Sequence, residues 1–116
     1  MDQRISVIQN KQKGTADAVE QARNKINSKN VLVLFGDTPL IKTANLKRLI
    51  KKFTFSKAKG SLIAFKTINP FGYGRLIVKN NILESIIEQK NLHPSQKEIN
   101  LCNSGILIAN KKILFD

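Results

Sequence analysis

The run Val31-Leu32-Val33-Leu34-Phe35 is apolar without a break and stops at Gly36-Asp37-Thr38-Pro39. A strand with one wet face alternates apolar and polar residues, whereas an unbroken run is covered on both faces and needs layers above and below it. The neighbouring segments have helical period. Upstream, Gly14-Thr15 opens a stretch that places Val19, Ala22 and Ile26 on one face, with Thr15 positioned to cap it. Downstream, Thr43 stands where a cap belongs. Leu46, Leu49, Ile50 and Phe53 then recur at helical spacing, and Lys47, Arg48, Lys51 and Lys52 turn to water. A doubly covered strand between amphipathic helices predicts an α/β domain.

Other short β-rich runs complete the pattern. Arg4-Ile5-Ser6-Val7-Ile8-Gln9 reads as a strand, as does Ser61-Leu62-Ile63-Ala64-Phe65-Lys66. After the loop Asn69-Pro70-Phe71-Gly72-Tyr73-Gly74, residues 75–79 and 82–88 read as strands joined at Asn80-Asn81, a pair tolerant of left-handed backbone and suited to a hairpin turn. A polar stretch, residues 93–98, precedes a last strand around Gly105-Ile106-Leu107-Ile108-Ala109. Helices alternating with strands early and a hairpin late predict a mixed sheet. There is no internal repeat and no low-complexity linker, so the 116 residues make at most one domain, and a short one for a doubly wound nucleotide-binding fold.

The formal charge is +12, from twenty cations against eight carboxylates, which raises the question of a nucleic-acid surface. Sixteen of the cations are lysines spread along the chain, with Lys51-Lys52 and Lys111-Lys112 the only adjacent lysine pairs. Lys, Asn and Ile together supply 43 residues. All three have A/T-rich codons, so base composition explains lysine and asparagine at once, which a nucleic-acid surface would not; nucleic acid is not the expected partner. The lone Cys102 has no intramolecular disulfide partner, and no histidine or helix start near it marks it as a nucleophile, so it reads as a small buried side chain. No apolar run approaches the ~20 residues that span a bilayer, and the N-terminus does not read as a signal peptide. The expectation is a cytoplasmic protein without a membrane partner.

Few residues offer chemistry. Asp37 follows the apolar strand, beyond whose carboxyl end open α/β sheets bind ligands. Gly36 beside it lets backbone approach a ligand. A carboxylate there suits magnesium held between protein and phosphates, but a turn aspartate bonded to its own backbone accounts for the position as well. Glu88 ends a strand and Asn103 begins one, so both could bond sugar hydroxyls or serve as ordinary edge and turn residues. Gly72-Tyr73-Gly74 is too short for a dinucleotide fingerprint; it allows either close backbone approach to a ligand or a tight loop. His93 has no partners in the chain for a metal cluster or a triad.

Taken in order, Gln9-Asn10-Lys11-Gln12-Lys13-Gly14-Thr15-Ala16-Asp17-Ala18, Phe35-Gly36-Asp37-Thr38-Pro39-Leu40-Ile41, Asn69-Pro70-Phe71-Gly72-Tyr73-Gly74-Arg75, Ile87-Glu88-Gln89-Lys90 and Asn103-Ser104-Gly105-Ile106 resemble one family. It is the uridylyltransferase (pyrophosphorylase) domain of the bifunctional bacterial N-acetylglucosamine-1-phosphate uridyltransferase and glucosamine-1-phosphate acetyltransferase. The resemblance covers nearly the whole chain. It implies a Rossmann-like nucleotide-diphospho-sugar transferase fold. The implied reaction joins UTP and N-acetylglucosamine 1-phosphate into UDP-N-acetylglucosamine and pyrophosphate, with magnesium, by in-line attack and without a protein base or covalent intermediate.

By the same resemblance, Gln9, Gly14 and Thr15 bind the nucleotide and Asp37 holds the metal. Phe35, Gly36, Gly74, Glu88 and Asn103 belong to the sugar-phosphate side. The chain departs from the pattern in Phe35 for tyrosine, Ser104 for threonine, and Asn69 and Phe71 for Asp and Thr. The family's glycine-rich triphosphate loop belongs upstream of Gln9. A second magnesium ligand, an asparagine, and the C-terminal β-helix acyltransferase domain that makes the family's enzymes trimers belong beyond Asp116. Residues 1–116 are therefore expected to be one partial nucleotidyltransferase domain with little turnover alone. A non-catalytic fragment that only binds uridine nucleotide, and a basic nucleic-acid module, are the alternatives.

Overall fold

The computed structural model describes residues 5–11, 15–35 and 41–115. Its organising element is β5 (Leu101–Asn110). One edge of its C-terminal half pairs with β1 (Asn30–Val33), and β2 (Gly60–Lys66) runs along the other edge. Past the end of β1, β3 (Arg75–Lys79) joins β5 through the pairing of Arg75 with Cys102, and β4 (Ile82–Ile87) pairs with β3. The α/β class is as expected. The pairings among the described residues are all antiparallel, so the parallel neighbours that a mixed sheet implies are not among them.

Periodicity identifies the elements well where a turn or a buried face fixes them. Asn80 and Asn81 have φ of 52° and 63°, the two left-handed residues of a tight hairpin between β3 and β4. The long helix, α2 (Thr43–Phe55), buries Leu49 and Phe53 against Ile106 and Ile108 of β5, with Leu32, Ile41, Leu46 and Ile63 packed around them. Fully burying a side chain of this size contributes about 1.5–3 kcal/mol, so this cluster is the main support of the sheet. Lys47, Arg48, Lys51 and Lys52 are exposed as expected.

Several expectations change. Lys42, not Thr43, is the N-cap residue of α2, and no side chain caps it. The upstream helix, α1, is confined to Thr15–Glu20. Beyond Gln21 the backbone tightens into i to i+3 turns (Ala22 to Val19, 3.0 Å; Lys25 to Ala22, 2.9 Å) before Ile26 turns extended. The Thr15 side chain lies outside what is described. Residues 5–9 form no strand, and Ile5 and Ile8 stay exposed. Of the apolar run only Val31–Val33 enters the sheet, the pairing of β1 with β5 ending at Val33 and Leu107. A short α3 (Lys111–Phe115), absent from the sequence reading, closes the described chain. Arg23, in the turn after α1, ties to it by donating to the Phe115 carbonyl at 2.7 Å.

Candidate sugar-phosphate site

Between its two halves β5 carries a bulge. Leu62 of β2 faces Leu107 and Ala64 faces Asn103, so Ser104, Gly105 and Ile106 together stand against Ile63 alone. The local sequence builds this departure. Gly105 takes a φ of +84°, open to glycine at no steric cost. Ser104 Oγ donates to the Ile63 carbonyl at 2.5 Å and accepts from the Ile106 N–H at 3.1 Å. Asn103 Oδ1 accepts from the Gly105 N–H at 2.9 Å. That bond fixes which end of the Asn103 amide is oxygen, and among the described residues nothing accepts from its Nδ2 donors. The Phe35 ring lies over Gly105: a Cβ added there would collide with it, standing 2.7 Å from Cδ2.

The bulge meets the loop before β3. The Asn103 N–H donates to the Gly74 carbonyl at 2.9 Å. Gly74 is buried, and a Cβ there would lie 3.3 Å from Glu88 Oε1 and 3.4 Å from Oε2. Gly74 therefore does allow close approach, of the Glu88 carboxylate to its backbone. Gly72 serves the tight loop. With φ of +90° and the Tyr73 N–H donating to Pro70 at 3.2 Å, it is the third residue of a type II turn, and a Cβ there would meet nothing. The structure thus brings together Gly74, Glu88, Asn103 and, through Gly105, Phe35. Glu88 is exposed and makes no ion pair among the described residues, so its oxygens are available as acceptors. Two acceptor oxygens and an amide N–H2 over a glycine backbone suit a polyhydroxylated ligand.

Gln9 stands apart, beside α1, where its Nε2 donates to Asp17 Oδ2 at 2.7 Å while Gln21 donates to Oδ1 at 3.4 Å. Gly14, Gly36 and Asp37 lie outside the described residues. Among the described residues no group of three or more His, Cys, Asp or Glu is placed to hold a metal. His93 caps the short 3-10 turn Pro94–Gln96, its ring accepting from the Ser95 N–H. Cys102 is fully buried, as expected; burial pushes its thiol pKa up, partly opposed by the Arg75 guanidinium beside it.

The sequence reading passed over Arg75. It is 1% exposed, the only buried charged side chain among the described residues. Its Nε donates to the Ile99 carbonyl at 3.0 Å, and Nη1 donates to the Tyr73 carbonyl at 2.5 Å and to Gln89 Oε1 at 2.8 Å. Neutral acceptors, rather than a carboxylate, satisfy this cation. The signal in the sequence is slight: an arginine among sixteen lysines, heading an apolar strand.

The sequence matches the nucleotidyl transferase family over residues 3–116, and the chain belongs to that family. Among its relatives, the bifunctional protein GlmU of Staphylococcus epidermidis is 39% identical over 118 residues, spanning 99% of this chain and 26% of that protein. GlmU of Campylobacter fetus is 41% identical, with 87% of this chain and 22% of that protein aligned. The chain therefore spans about a quarter of the length of these relatives. Among solved structures, HddC from Yersinia pseudotuberculosis, complexed with GMP-PN, superposes with a TM-score of 0.69 at 25% identity, covering 95% of this chain and 45% of that one. A Bacillus anthracis protein assigned as a glucose-1-phosphate thymidylyltransferase, in complex with sucrose, superposes at 0.75 with 19% identity, over 91% and 41%. The chain shares the fold of these two structures. Among the described residues no helix is long and apolar enough to cross a membrane.

Proposed function

We propose that this chain carries the sugar-phosphate side of a cytoplasmic uridylyltransferase that forms UDP-N-acetylglucosamine and pyrophosphate from UTP and N-acetylglucosamine 1-phosphate. The observation that carries the reading is the meeting of Gly74, Glu88 and Asn103, far apart in sequence, around one glycine backbone. Glu88 accepts from sugar hydroxyls, Asn103 Nδ2 donates to sugar or phosphate oxygens, and Gly74 keeps the space between them free of a side chain. The Phe35 ring lies over Gly105, and Phe35 and Gly36 are assigned to the same sugar phosphate. Gln9, Gly14 and Thr15 are assigned to the nucleotide. Asp17 orients the Gln9 amide, a prerequisite for reading a base edge.

Asp37 is assigned to magnesium. One carboxylate together with substrate phosphates is a normal magnesium ligand set, so a site without a dense protein cluster fits the ion. Magnesium, when bound, supplies neutralisation of phosphate charge. The protein's own share is positioning: holding the sugar phosphate oxygen in line with the α-phosphorus of UTP replaces a chance encounter by a fixed geometry. On this reading residues 1–116 form one partial nucleotidyltransferase domain, and turnover belongs to a longer chain.

The test is a titration of isotope-labelled protein with N-acetylglucosamine 1-phosphate, followed at backbone amides. Gly74, Glu88 and Asn103 are expected to shift together, and Glu88→Ala or Asn103→Ala to abolish the response. No shift at millimolar ligand, or shifts confined to other segments, would sink the assignment.

A further inference from the structure

The bonds around Arg75 converge on one atom that no role described so far uses. Gln89 Oε1 accepts both from Arg75 Nη1, at 2.8 Å, and from the Gly72 N–H, at 3.0 Å. Gly72 precedes Gly74 by two residues and Gln89 directly follows Glu88, so a single oxygen ties the loop carrying one site residue to the strand end carrying another. Arg75 extends the tie. Its backbone is paired with Ile87 on one side and with Cys102, next to Asn103, on the other. Its guanidinium also holds the Tyr73 carbonyl, while the Tyr73 ring packs edge-on against Phe65 of β2 with centroids 4.9 Å apart.

We infer that Gln89, acting with Arg75, is a positioning residue for the sugar-phosphate pocket: its side-chain oxygen clasps the Gly72-Tyr73-Gly74 loop to the Glu88 corner and so sets the spacing of Glu88 from Gly74. As a pocket-setting role it rests on the function proposed above; the clasp itself is a property of the free protein. Only acceptor chemistry is required of Gln89, since its oxygen receives both bonds. A glutamate can supply it and a leucine cannot.

The experiment compares Gln89→Leu and Gln89→Glu with the unaltered chain. In the absence of ligand, Gln89→Leu is expected to move the amide signals of Gly72, Gly74 and Glu88 and to speed exchange at Gly72, while Gln89→Glu keeps them near their original positions. Unchanged Gly74 and Glu88 signals in Gln89→Leu overturn the clasp, whatever the protein binds. Titrations with N-acetylglucosamine 1-phosphate and, separately, UTP then read the pocket. Sugar-phosphate affinity should fall on the order of ten- to a hundredfold in Gln89→Leu, as displaced contact groups would cause. UTP affinity should stay constant, and Gln89→Glu should restore sugar binding. Equal loss for both ligands, or failure of Gln89→Glu to restore binding, assigns Gln89 a general folding role and overturns the inference. If the unaltered chain binds no sugar phosphate, the proposed function fails while the unliganded comparison still decides the clasp.

Discussion

The two halves of β5 are built on opposite terms. From Leu107 to Ala109 it is a plain ladder, paired on both edges; with Ile106 just before it, this half packs beneath α2 and holds the domain together by burying apolar surface. From Leu101 to Gly105 the same strand bulges, uses Asn and Ser side chains to satisfy its own backbone, and rests on a buried arginine. The first half is stabilised by many interchangeable contacts. The second depends on a few directed bonds, and these bring Gly74, Glu88 and Asn103 together. A single strand thus joins a generic core to the proposed site, and substitutions in its two halves should have separable effects.

The largest separation is expected from Ile106→Ala against Asn103→Ala. The first removes a core side chain that is 1% exposed and should cost about 2–5 kcal/mol in denaturant unfolding while leaving sugar-phosphate affinity intact once the protein is folded. The second should spare most of the stability and lose the ligand; equal stability losses would contradict the division. Next, Gly105→Ala forces a left-handed backbone on a residue that resists it, about 1–2 kcal/mol, and pushes Phe35 aside. Displacement of the Phe35 ring signals checks this. Ser104→Ala orphans the Ile63 carbonyl and should cost about 1 kcal/mol, seen as faster amide exchange at Ile106.

The smallest effect is one of pH. Burial raises the Cys102 thiol pKa in the folded chain. Native protein then keeps a proton that the unfolded chain gives up above about pH 8.5, so stability is whole below that pH and declines as pH rises toward the folded value. Cys102→Ala should flatten that alkaline decline without altering stability at neutral pH beyond its packing cost.

How far these features were legible in sequence follows the kind of force involved. The Asn80-Asn81 turn and the buried face of α2 depend on local backbone preference and on spacing, which the residues display directly. The central place of β5 does not, because periodicity marks a strand without saying which strands flank it. The same blindness made residues 5–9 read as a strand where the structure forms none. At the site, position alone left Glu88 and Asn103 open to ordinary roles, and only the ordered set of motifs singled them out with Gly74. Arg75 and Gln89 escaped both readings. Their part consists of hydrogen bonds to backbone groups distant in sequence, which no spacing rule records.

The bulge has a consequence for how such a strand tolerates change in length. Between the pairings of Asn103 and Leu107, β5 advances four residues while β2 advances two, from Ala64 to Leu62. The excess is even, so Cys102 before it, Ile106 within it and Ile108 after it all remain buried. Loss of one residue here would turn every following side chain to the wrong face. Loss of two would straighten the strand and erase the proposed site while the core kept its register, so at this point the proposed binding chemistry and the fold are separable.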